Sequence, residues 1–221
     1  TPGLDAERVA WPSPFDALLD RLAALRGRRV AVLATGDPLW FSVGARIAAA
    51  FPAEEVAIHP NLSAFQLAAA RLGWPLAEVE TLSLHGRPVE TLIPFLQPGA
   101  RLLALTAGAE TPEAAATLMT ARGYGDSPVT ALADMGAASE RRIDATAAAW
   151  RGPAPAFHVL ALDCVAGPEA AVAPRVPGLD DALFDSDGTM TKREVRAVTL
   201  ARLAPTPGAL LWDVGCGCGS V

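Results

Sequence analysis

The sequence predicts an α/β protein in which short strands alternate with helices. Short apolar runs alternate with stretches whose apolar residues recur at the helical period, and glycine or proline separates most of them. This alternation is typical of layered folds with a largely parallel sheet. Of the 221 residues, 51% are hydrophobic and 19% are charged. Such a composition is typical of a chain that buries a core.

The first part of the chain follows this alternation. Ser13 and Pro14 predict a helix start, since serine caps helices and proline suits the first helical position. Gly27 predicts the end of that helix. Two more helices are predicted, over residues 40–51 and from a cap at Asn61 or Ser63 to Leu72, before Gly73. Strands are predicted at 29–34, 56–59 and 79–84.

The start of the chain departs from this plan. It opens on Thr1-Pro2-Gly3 without methionine, and no strand precedes its first helix. A largely parallel sheet normally has an earlier strand to pair with residues 30–34. The chain also stops at Val221, soon after a glycine-rich loop. We therefore expect a sequence that is truncated at both ends.

From residue 101 onward the pattern predicts a second, more antiparallel α/β unit, because strands follow one another with little helix between them. Its strands are predicted at 101–106, 129–133, 141–145 and 157–164, and its helix from Thr111 to Gly123. Residues 167–178 are rich in proline and alanine and predict a linker. A capped helix near Thr191 and a final apolar strand leading into glycines are expected after it.

Charge and cysteine content exclude several classes of protein. The net charge of −6 gives no electrostatic footprint for nucleic acid or an anionic membrane, and no apolar run is long enough to span a bilayer. Three cysteines make no disulfide framework, so a reducing cytoplasm is expected. Cys216 and Cys218 have only Cys164 as a further thiol and no histidine nearby, so a zinc ion would lack a fourth ligand. No metal site is predicted.

Three loops that follow predicted strands are candidate ligand sites, because open α/β sheets bind ligands at the carboxyl ends of their strands. The loops cover residues 34–38, 60–66 and 83–87. Gly36 permits close approach of a ligand to the backbone, and Asp37 can accept hydrogen bonds or cap the next helix. In the second loop, free N–H groups and hydroxyls suit a polar or anionic ligand.

The third loop carries His85, a titratable group, and Arg87, which can bind a carboxylate with two hydrogen bonds. Taken singly, each loop also has a simpler interpretation. The first is then a strand-to-helix turn, the second a helix cap made by Ser63, and the third a solvated surface turn. His59 and His158 fall within predicted apolar strands and are interpreted as structural histidines.

The end of the chain predicts a nucleotide-binding loop. A short apolar run leads into Asp213, and glycine then occupies every second position, at Gly215, Gly217 and Gly219. Glycines allow close backbone approach to a ligand and unusual φ values. The sequence shows no P-loop, no helical His-Glu metal motif and no Ser-His-Asp order.

Taken together, the three strand-end loops resemble the tetrapyrrole (corrin/porphyrin) methylases. Residues 63–74 (SAFQLAAARLGW) and 84–87 (LHGR) are most similar to the precorrin-6Y C5,15-methyltransferase branch of that family. Residues 188–196, followed by 211–215, are similar to the start of the second half of its fused members. The resemblance covers the chain from about Trp11 to Val221. It implies a tetrapyrrole-methylase fold of two α/β subdomains, followed by the start of a Rossmann-like methyltransferase domain.

The resemblance also implies a domain division. Residues 1–86 are expected to form the first α/β subdomain, without its first strand, and residues 87–166 the second. Residues 167–178 are the linker. Residues 179–221 are expected to begin the Rossmann-like domain, which would be truncated.

The resemblance implies S-adenosylmethionine as cofactor, held between the two subdomains, and a precorrin of cobalamin biosynthesis as methyl acceptor. The N-terminal half is expected to methylate C5, and the C-terminal half to methylate C15 and decarboxylate the C12 acetate. The expected cofactor contacts are Gly36, Asp37, Leu39, Ser63, Ala64, Thr106 and Ala107, with a second set at Thr191, Asp213, Gly215, Gly217 and Gly219. His85, Arg87 and Arg46 are expected to meet the carboxylates of the macrocycle.

Three departures from the family pattern leave alternatives open. The family begins with a strand and a glycine-rich loop that this sequence lacks, and its second methyltransferase half is represented only by its first stretch. Cys216 and Cys218 also stand where alanine and serine are common. The chain could instead be another tetrapyrrole methylase or a diphthine synthase, against which the segment 190–196 argues, or a non-catalytic binding module. Related methylases are often dimers, and the apolar composition is compatible with a homo-oligomer.

Overall fold

The computed structural model describes residues 6–221. Residues 1–3, on which the expectation of a truncated start rests, lie outside them. The chain divides into two compact units, Thr1–Leu67 and Ala68–Val221, which are described one at a time below. Across residues 6–221, no helix combines the length and the apolar character needed to cross a membrane.

Helices dominate the first unit. Helix α1 covers Leu18–Ala23 and α2 covers Val43–Ala50, while α3, Ala64–Leu72, begins in this unit. Helix α2 packs directly on the loop before it, because a Cβ atom at Gly44 would lie 2.4 Å from the carbonyl oxygen of Pro38. Only glycine allows this approach, which fixes the loop of residues 37–42 against the helix.

Helix α1 begins later than predicted. A short 3-10 turn, Phe15–Ala17, precedes it, and no side chain caps that turn. Pro14 is extended, with ψ of 154°, so the helical turn starts behind it and the predicted cap by Ser13 is wrong. Gly27 has a φ of +84° and ends the turns after α1, as predicted.

The two strands predicted in the first unit are wrong. Residues 29–34 and 56–59 pair with no strand among residues 6–221, and a strand is stable only when a neighbour bonds its backbone groups. The apolar side chains of residues 30–33 are exposed to solvent, with Leu33 73% exposed. Both segments line one cavity of about 940 Å³. His59 is exposed and lies in no strand, so its interpretation as a core histidine is also wrong.

The second unit is built on a five-stranded sheet, with β1 Val79–Ser83, β2 Arg101–Leu105, β3 Pro128–Ala133, β4 Arg141–Thr146 and β5 His158–Asp163. The strand order is β1-β2-β5-β3-β4. Strands β1 and β2 are parallel, and the other three pairs are antiparallel. The antiparallel pairing predicted from residue 101 onward is present, but β1, predicted for the first subdomain, belongs to the same sheet. The division into subdomains at residue 86 stays a prediction. The carboxyl ends of β1, β2 and β3 lie at one edge of the sheet, together with the start of β5.

The core of this unit lies on the central strands β2, β3 and β5. Helix α4, Thr111–Ala121, packs on it through Ala115, Ala116 and Met119, all at most 2% exposed. Tyr124 is fully buried, and its hydroxyl donates to the carbonyl of Leu96 at 2.8 Å. The buried phenol group of Tyr124 is therefore hydrogen-bonded, as buried polar groups generally are.

The predicted linker, residues 167–178, follows the surface of the second unit. The N–H of Gly167 donates to the carbonyl of Gly123, and the N–H of Ala171 to that of Arg122, both at 2.9 Å. Gly123, with a φ of +81°, has no room for a side chain, since a Cβ would lie 2.7 Å from the Cα of Ala170. This segment is therefore hydrogen-bonded along its first half.

The end of the chain forms one helix and a series of turns. Helix α5 covers Arg193–Leu203 and has no side-chain cap, so the predicted capping near Thr191 is not formed. The strand predicted before the glycines is wrong, because residues 209–214 pair with no strand of the described chain and Leu210 is 85% exposed. The Rossmann-like continuation stays a prediction.

Candidate cofactor and substrate site

Two of the predicted loops meet within the first unit at Gly36. Gly36 has a φ of +66°, and a Cβ there would lie 3.2 Å from the Cα of Ser63 and 3.4 Å from the carbonyl oxygen of Leu62. Both the backbone conformation and the space favour glycine at this position. The structure therefore brings Gly36 and Ser63, predicted to share a ligand, into contact.

Asp37 shapes the first loop. Its Oδ1 accepts a hydrogen bond from the N–H of Leu39 at 2.8 Å, a turn that aspartate commonly forms with the backbone two residues on. The second carboxylate oxygen makes no hydrogen bond within the described residues. Leu39 itself is 50% exposed. The turn interpretation is correct for one oxygen, while the other can still accept a hydrogen bond from a ligand.

Ser63 caps helix α3 by a reciprocal pair of hydrogen bonds. Its Oγ accepts from the N–H of Gln66 at 3.3 Å, and its own N–H donates to Oε1 of Gln66 at 2.6 Å. This is a capping box of the Ser-x-x-Gln type. The N–H groups of Ala64 and Phe65, in the first turn, have no acceptor within the described residues, as helix starts generally leave them. Polar donors therefore stand beside Gly36.

The third predicted loop lies in the second unit, where β1 ends. The N–H of Leu84 donates to the carbonyl of Leu105 at 2.7 Å, which keeps this loop beside the end of β2. His85 and Arg87 are both exposed. Thr106 follows β2, and its hydroxyl donates to the carbonyl of His158 at 3.2 Å. The structure thus collects this loop and Thr106, with the neighbouring Ala107, at one edge of the sheet.

His158 occupies the same edge, and sequence reasoning misjudged it. The side chain is buried, and Nδ1 donates to the carbonyl of Pro155 at 2.6 Å, which leaves Nε2 as an acceptor. That atom is buried and has no hydrogen-bond partner among residues 6–221. Burial lowers the pKa of His158, because a charged ring is poorly solvated there. The interpretation as a satisfied core histidine is therefore correct for only one ring nitrogen.

Arg46, predicted to bind substrate, already has partners in the first unit. Its guanidinium lies 3.0 Å from Asp16 and stacks over the ring of Phe15 at 5.4 Å. The side chain is still 45% exposed. An exposed pair of this kind is weak, so the arginine can exchange Asp16 for another carboxylate.

Sequence reasoning missed an aromatic cluster beside Gly36. Trp40 and Phe41 both contact Phe65, with ring centroids 5.1 and 5.9 Å from it. Residues from Trp40 onward were predicted to be helical, but α2 begins only at Val43. The left-handed φ of Phe41, +52°, has no signal in the sequence, since glycine or asparagine usually marks such a turn.

The second predicted set of cofactor residues lies at the end of the chain. Gly215, Gly217 and Gly219 all have positive φ, from +55° to +81°, as their spacing predicted. Thr191 and Asp213 are exposed. Burial raises the pKa of the Cys164 thiol to about 12, whereas Cys216 is exposed and Cys218 half-buried.

Arg196 organises this end of the chain and was missed from the sequence. Its side chain is 1% exposed and donates to the carbonyls of Leu179, Thr191 and Ser220, and to the carboxylate of Asp181. It therefore ties helix α5 to the end of the glycine turns. A long charged side chain inside a weakly amphipathic helix gives no such signal in the sequence.

Comparisons with known proteins agree with the fold. The family model of the tetrapyrrole (corrin/porphyrin) methylases matches residues 9–150, and that of the precorrin methyltransferase domain matches residues 182–221. The solved uroporphyrin-III C-methyl transferase of Thermus thermophilus, complexed with S-adenyl homocysteine, has a TM-score of 0.54 at 21% identity. The match covers 72% of this chain and 77% of that one. At this identity it shows the fold alone.

Two curated relatives are similar in sequence. The precorrin-6Y C(5,15)-methyltransferase (decarboxylating) of a Sinorhizobium species is 43% identical over 219 residues, which cover 99% of this chain and 53% of that protein. The cobalt-precorrin-7 C(5)-methyltransferase of Salmonella typhimurium is 39% identical over 88 residues, or 40% of this chain and 44% of that one. The chain thus spans about half the length of the Sinorhizobium relative. It belongs to the tetrapyrrole (corrin/porphyrin) methylase family.

Proposed function

We propose that this chain binds S-adenosylmethionine and serves in the methylation of a precorrin macrocycle at C5 in cobalamin biosynthesis. Family membership and the 43% identity to a precorrin-6Y methyltransferase support this function. One structural observation carries it: the loops at Gly36 and Ser63 are in contact, and the start of α3 there offers N–H groups with no acceptor among the described residues. Such groups bind a small polar cofactor through its backbone-facing atoms.

The residues present fit this cofactor. The N–H groups of Ala64 and Phe65 suit its carboxylate, and the free oxygen of Asp37 suits hydroxyl or amino donors. Leu39 offers apolar surface to an aromatic base. Thr106 and Ala107 are further contacts that the sequence predicts.

Methyl transfer requires the methyl donor and the acceptor carbon to be aligned. When bound, the cofactor supplies a methyl group already activated on a sulfonium sulfur, so the protein needs no nucleophile of its own. Gly36 and the capped start of α3 are rigid, because two hydrogen bonds between Ser63 and Gln66 fix the first turn. Their proposed task is to hold one orientation and keep water away from the reacting atoms.

The acceptor is a multiply carboxylated macrocycle, and this protein has a net charge of −6. Binding two acidic molecules together requires basic groups at the point of contact. His85, Arg87 and Arg46 are proposed for that role, since all three side chains are exposed. Arg87 can hold a carboxylate with two hydrogen bonds.

The end of the chain is proposed to belong to a second methyltransferase site, serving methylation at C15 and decarboxylation of the C12 acetate. The match of residues 182–221 to the precorrin methyltransferase domain supports it. Thr191, Asp213 and the three glycines of positive φ are the proposed cofactor contacts.

Calorimetry with S-adenosylhomocysteine on the full gene product tests the first site. Asp37→Asn keeps an oxygen for the turn with Leu39 but removes the charge, so we expect at least tenfold weaker binding at an unchanged melting temperature. Asp20→Asn, on the exposed face of α1, is the matched control and should bind normally. Normal binding by Asp37→Asn would refute the assignment of this residue.

A non-catalytic binding module is the second candidate function. Segments 29–34 and 56–59, which pair with no strand among the described residues, favour it. Absence of binding by the wild-type full gene product would support this candidate over a methyltransferase.

A further inference from the structure

An uncharged apolar face lies beside Gly36 in the first unit. It consists of Leu39 and Phe41 from one loop and Leu62 from the next, which are 50%, 46% and 59% exposed. The two loops touch, because a Cβ at Gly36 would lie 3.4 Å from the carbonyl oxygen of Leu62. Large exposed apolar side chains on two loops that touch indicate an interaction surface more strongly than a single one does.

Phe41 is held in this face at an energetic cost. Its φ of +52° lies in the left-handed region, which is unfavourable for a bulky residue and clusters at ligand sites. The ring meets Phe65 edge-on, with centroids 5.9 Å apart and planes at 69°. Phe65 is 1% exposed and also contacts Trp40. The buried ring of Phe65 thus packs against Phe41, which has a strained backbone and is nearly half exposed to solvent.

The charge pattern indicates what this face can accept. Residues 38–42 and 61–63 carry no charged side chain, whereas 19% of all residues in the protein are charged. A tetrapyrrole has an apolar conjugated face and bears its carboxylates at the rim. Its face therefore suits an uncharged surface with an exposed ring, while the rim needs cations located elsewhere.

We propose that Phe41, supported by Phe65 and flanked by Leu39 and Leu62, is the surface on which the face of the macrocycle lies. This inference rests on the proposed function, since it assigns a residue to the substrate of the same site. The strain at Phe41 is retained because the left-handed turn presents the ring outward, where the macrocycle contacts it.

The test distinguishes the effect of losing the Phe41 ring from the effect of losing stability. Asparagine tolerates a left-handed φ and lacks the ring, so Phe41→Asn should melt at the same or a higher temperature. Binding of uroporphyrin III to the full gene product, followed by quenching of porphyrin fluorescence, should weaken at least fivefold in this variant. Phe41→Tyr should restore it. Phe51→Leu, which removes another half-buried ring of the same unit, is the matched control and should bind normally.

Three results would overturn the proposal. The first is uroporphyrin binding by Phe41→Asn that equals wild type. The second is a parallel loss of melting temperature, uroporphyrin binding and S-adenosylhomocysteine binding, which means a structural role. The third is a wild-type dimer that Phe41→Asn converts to monomer in sedimentation, which means a face for a second copy. Failure of wild-type cofactor binding, with porphyrin binding still sensitive to Phe41, would refute the methyltransferase function but retain this surface.

Discussion

Replacing Gly36 by alanine tests how the two loops of the first unit are joined. Two effects oppose the substitution. Alanine at a φ of +66° costs about 1–2 kcal/mol relative to glycine. The new Cβ also lies 3.2 Å from the Cα of Ser63, and backbone atoms cannot rotate away. The start of α3 must therefore move by a few tenths of an ångström, which adds about 1 kcal/mol as mild overpacking.

Gly27→Ala separates the two effects. Gly27 has a φ of +84° in the same unit, but nothing lies within 4 Å of its Cβ position. The entropy change of the unfolded chain is the same for both substitutions, so it cancels in the difference. We expect Gly27→Ala to lose about 1–2 kcal/mol from the conformation alone, and Gly36→Ala to lose about 1 kcal/mol more.

Urea denaturation of both variants measures this difference, and calorimetry with S-adenosylhomocysteine measures the effect on the site. Because only Gly36→Ala displaces Ser63, it alone should weaken cofactor binding, while Gly27→Ala should bind as wild type does. Equal losses of stability, or equal cofactor affinities, would show that the contact between Gly36 and Ser63 does not shape the site.

Two further substitutions probe the second unit. Burial lowers the pKa of His158 below its unfolded value of 6.5. The contribution of His158 to the free energy of unfolding is therefore complete above pH 6.5. It is lost as the pH falls, by at most about 1.4 kcal/mol per pH unit. In His158→Asn, the free energy of unfolding measured in urea should depend less on pH between pH 7 and 5 than in wild type. An unchanged pH dependence contradicts this. Arg196→Met should expose residues 179–221 to limited proteolysis, since it removes the donor that the carbonyls of Leu179, Thr191 and Ser220 share. The exposed Arg202→Met is its control, and equal cleavage refutes the role of Arg196.

Elements whose formation depends on neighbouring residues in the chain could be predicted from the sequence. All five strands of the second unit were predicted within two residues, and the three central ones, β2, β3 and β5, are short apolar runs. Gly73 and Gly123 end helices with positive φ, as helix-stop glycines do. The cap by Ser63 was also predicted, although the sequence left Asn61 as an equal alternative.

The elements that depend on a partner could not be predicted. Residues 29–34, 56–59 and 209–214 have the composition of strands, but pairing decides whether a strand forms, and no described strand lies beside them. The same reasoning applies to single side chains. Burial left Nε2 of His158 without a partner and enclosed Arg196 in carbonyl groups, and neither environment can be inferred from the residues around them in the chain.

The two loops of the candidate site keep their shape although the predicted strands before them do not form. The hydrogen bonds that hold each loop are local. Asp37 closes its own turn, and Ser63 and Gln66 cap their own helix, so both loops keep their shape through bonds that span two or three residues. Gly36 then joins the loops by direct contact. A site built in this way needs neighbouring strands for stability but not for its geometry. Loosening of residues 29–34 should therefore lower the melting temperature more than it alters cofactor binding.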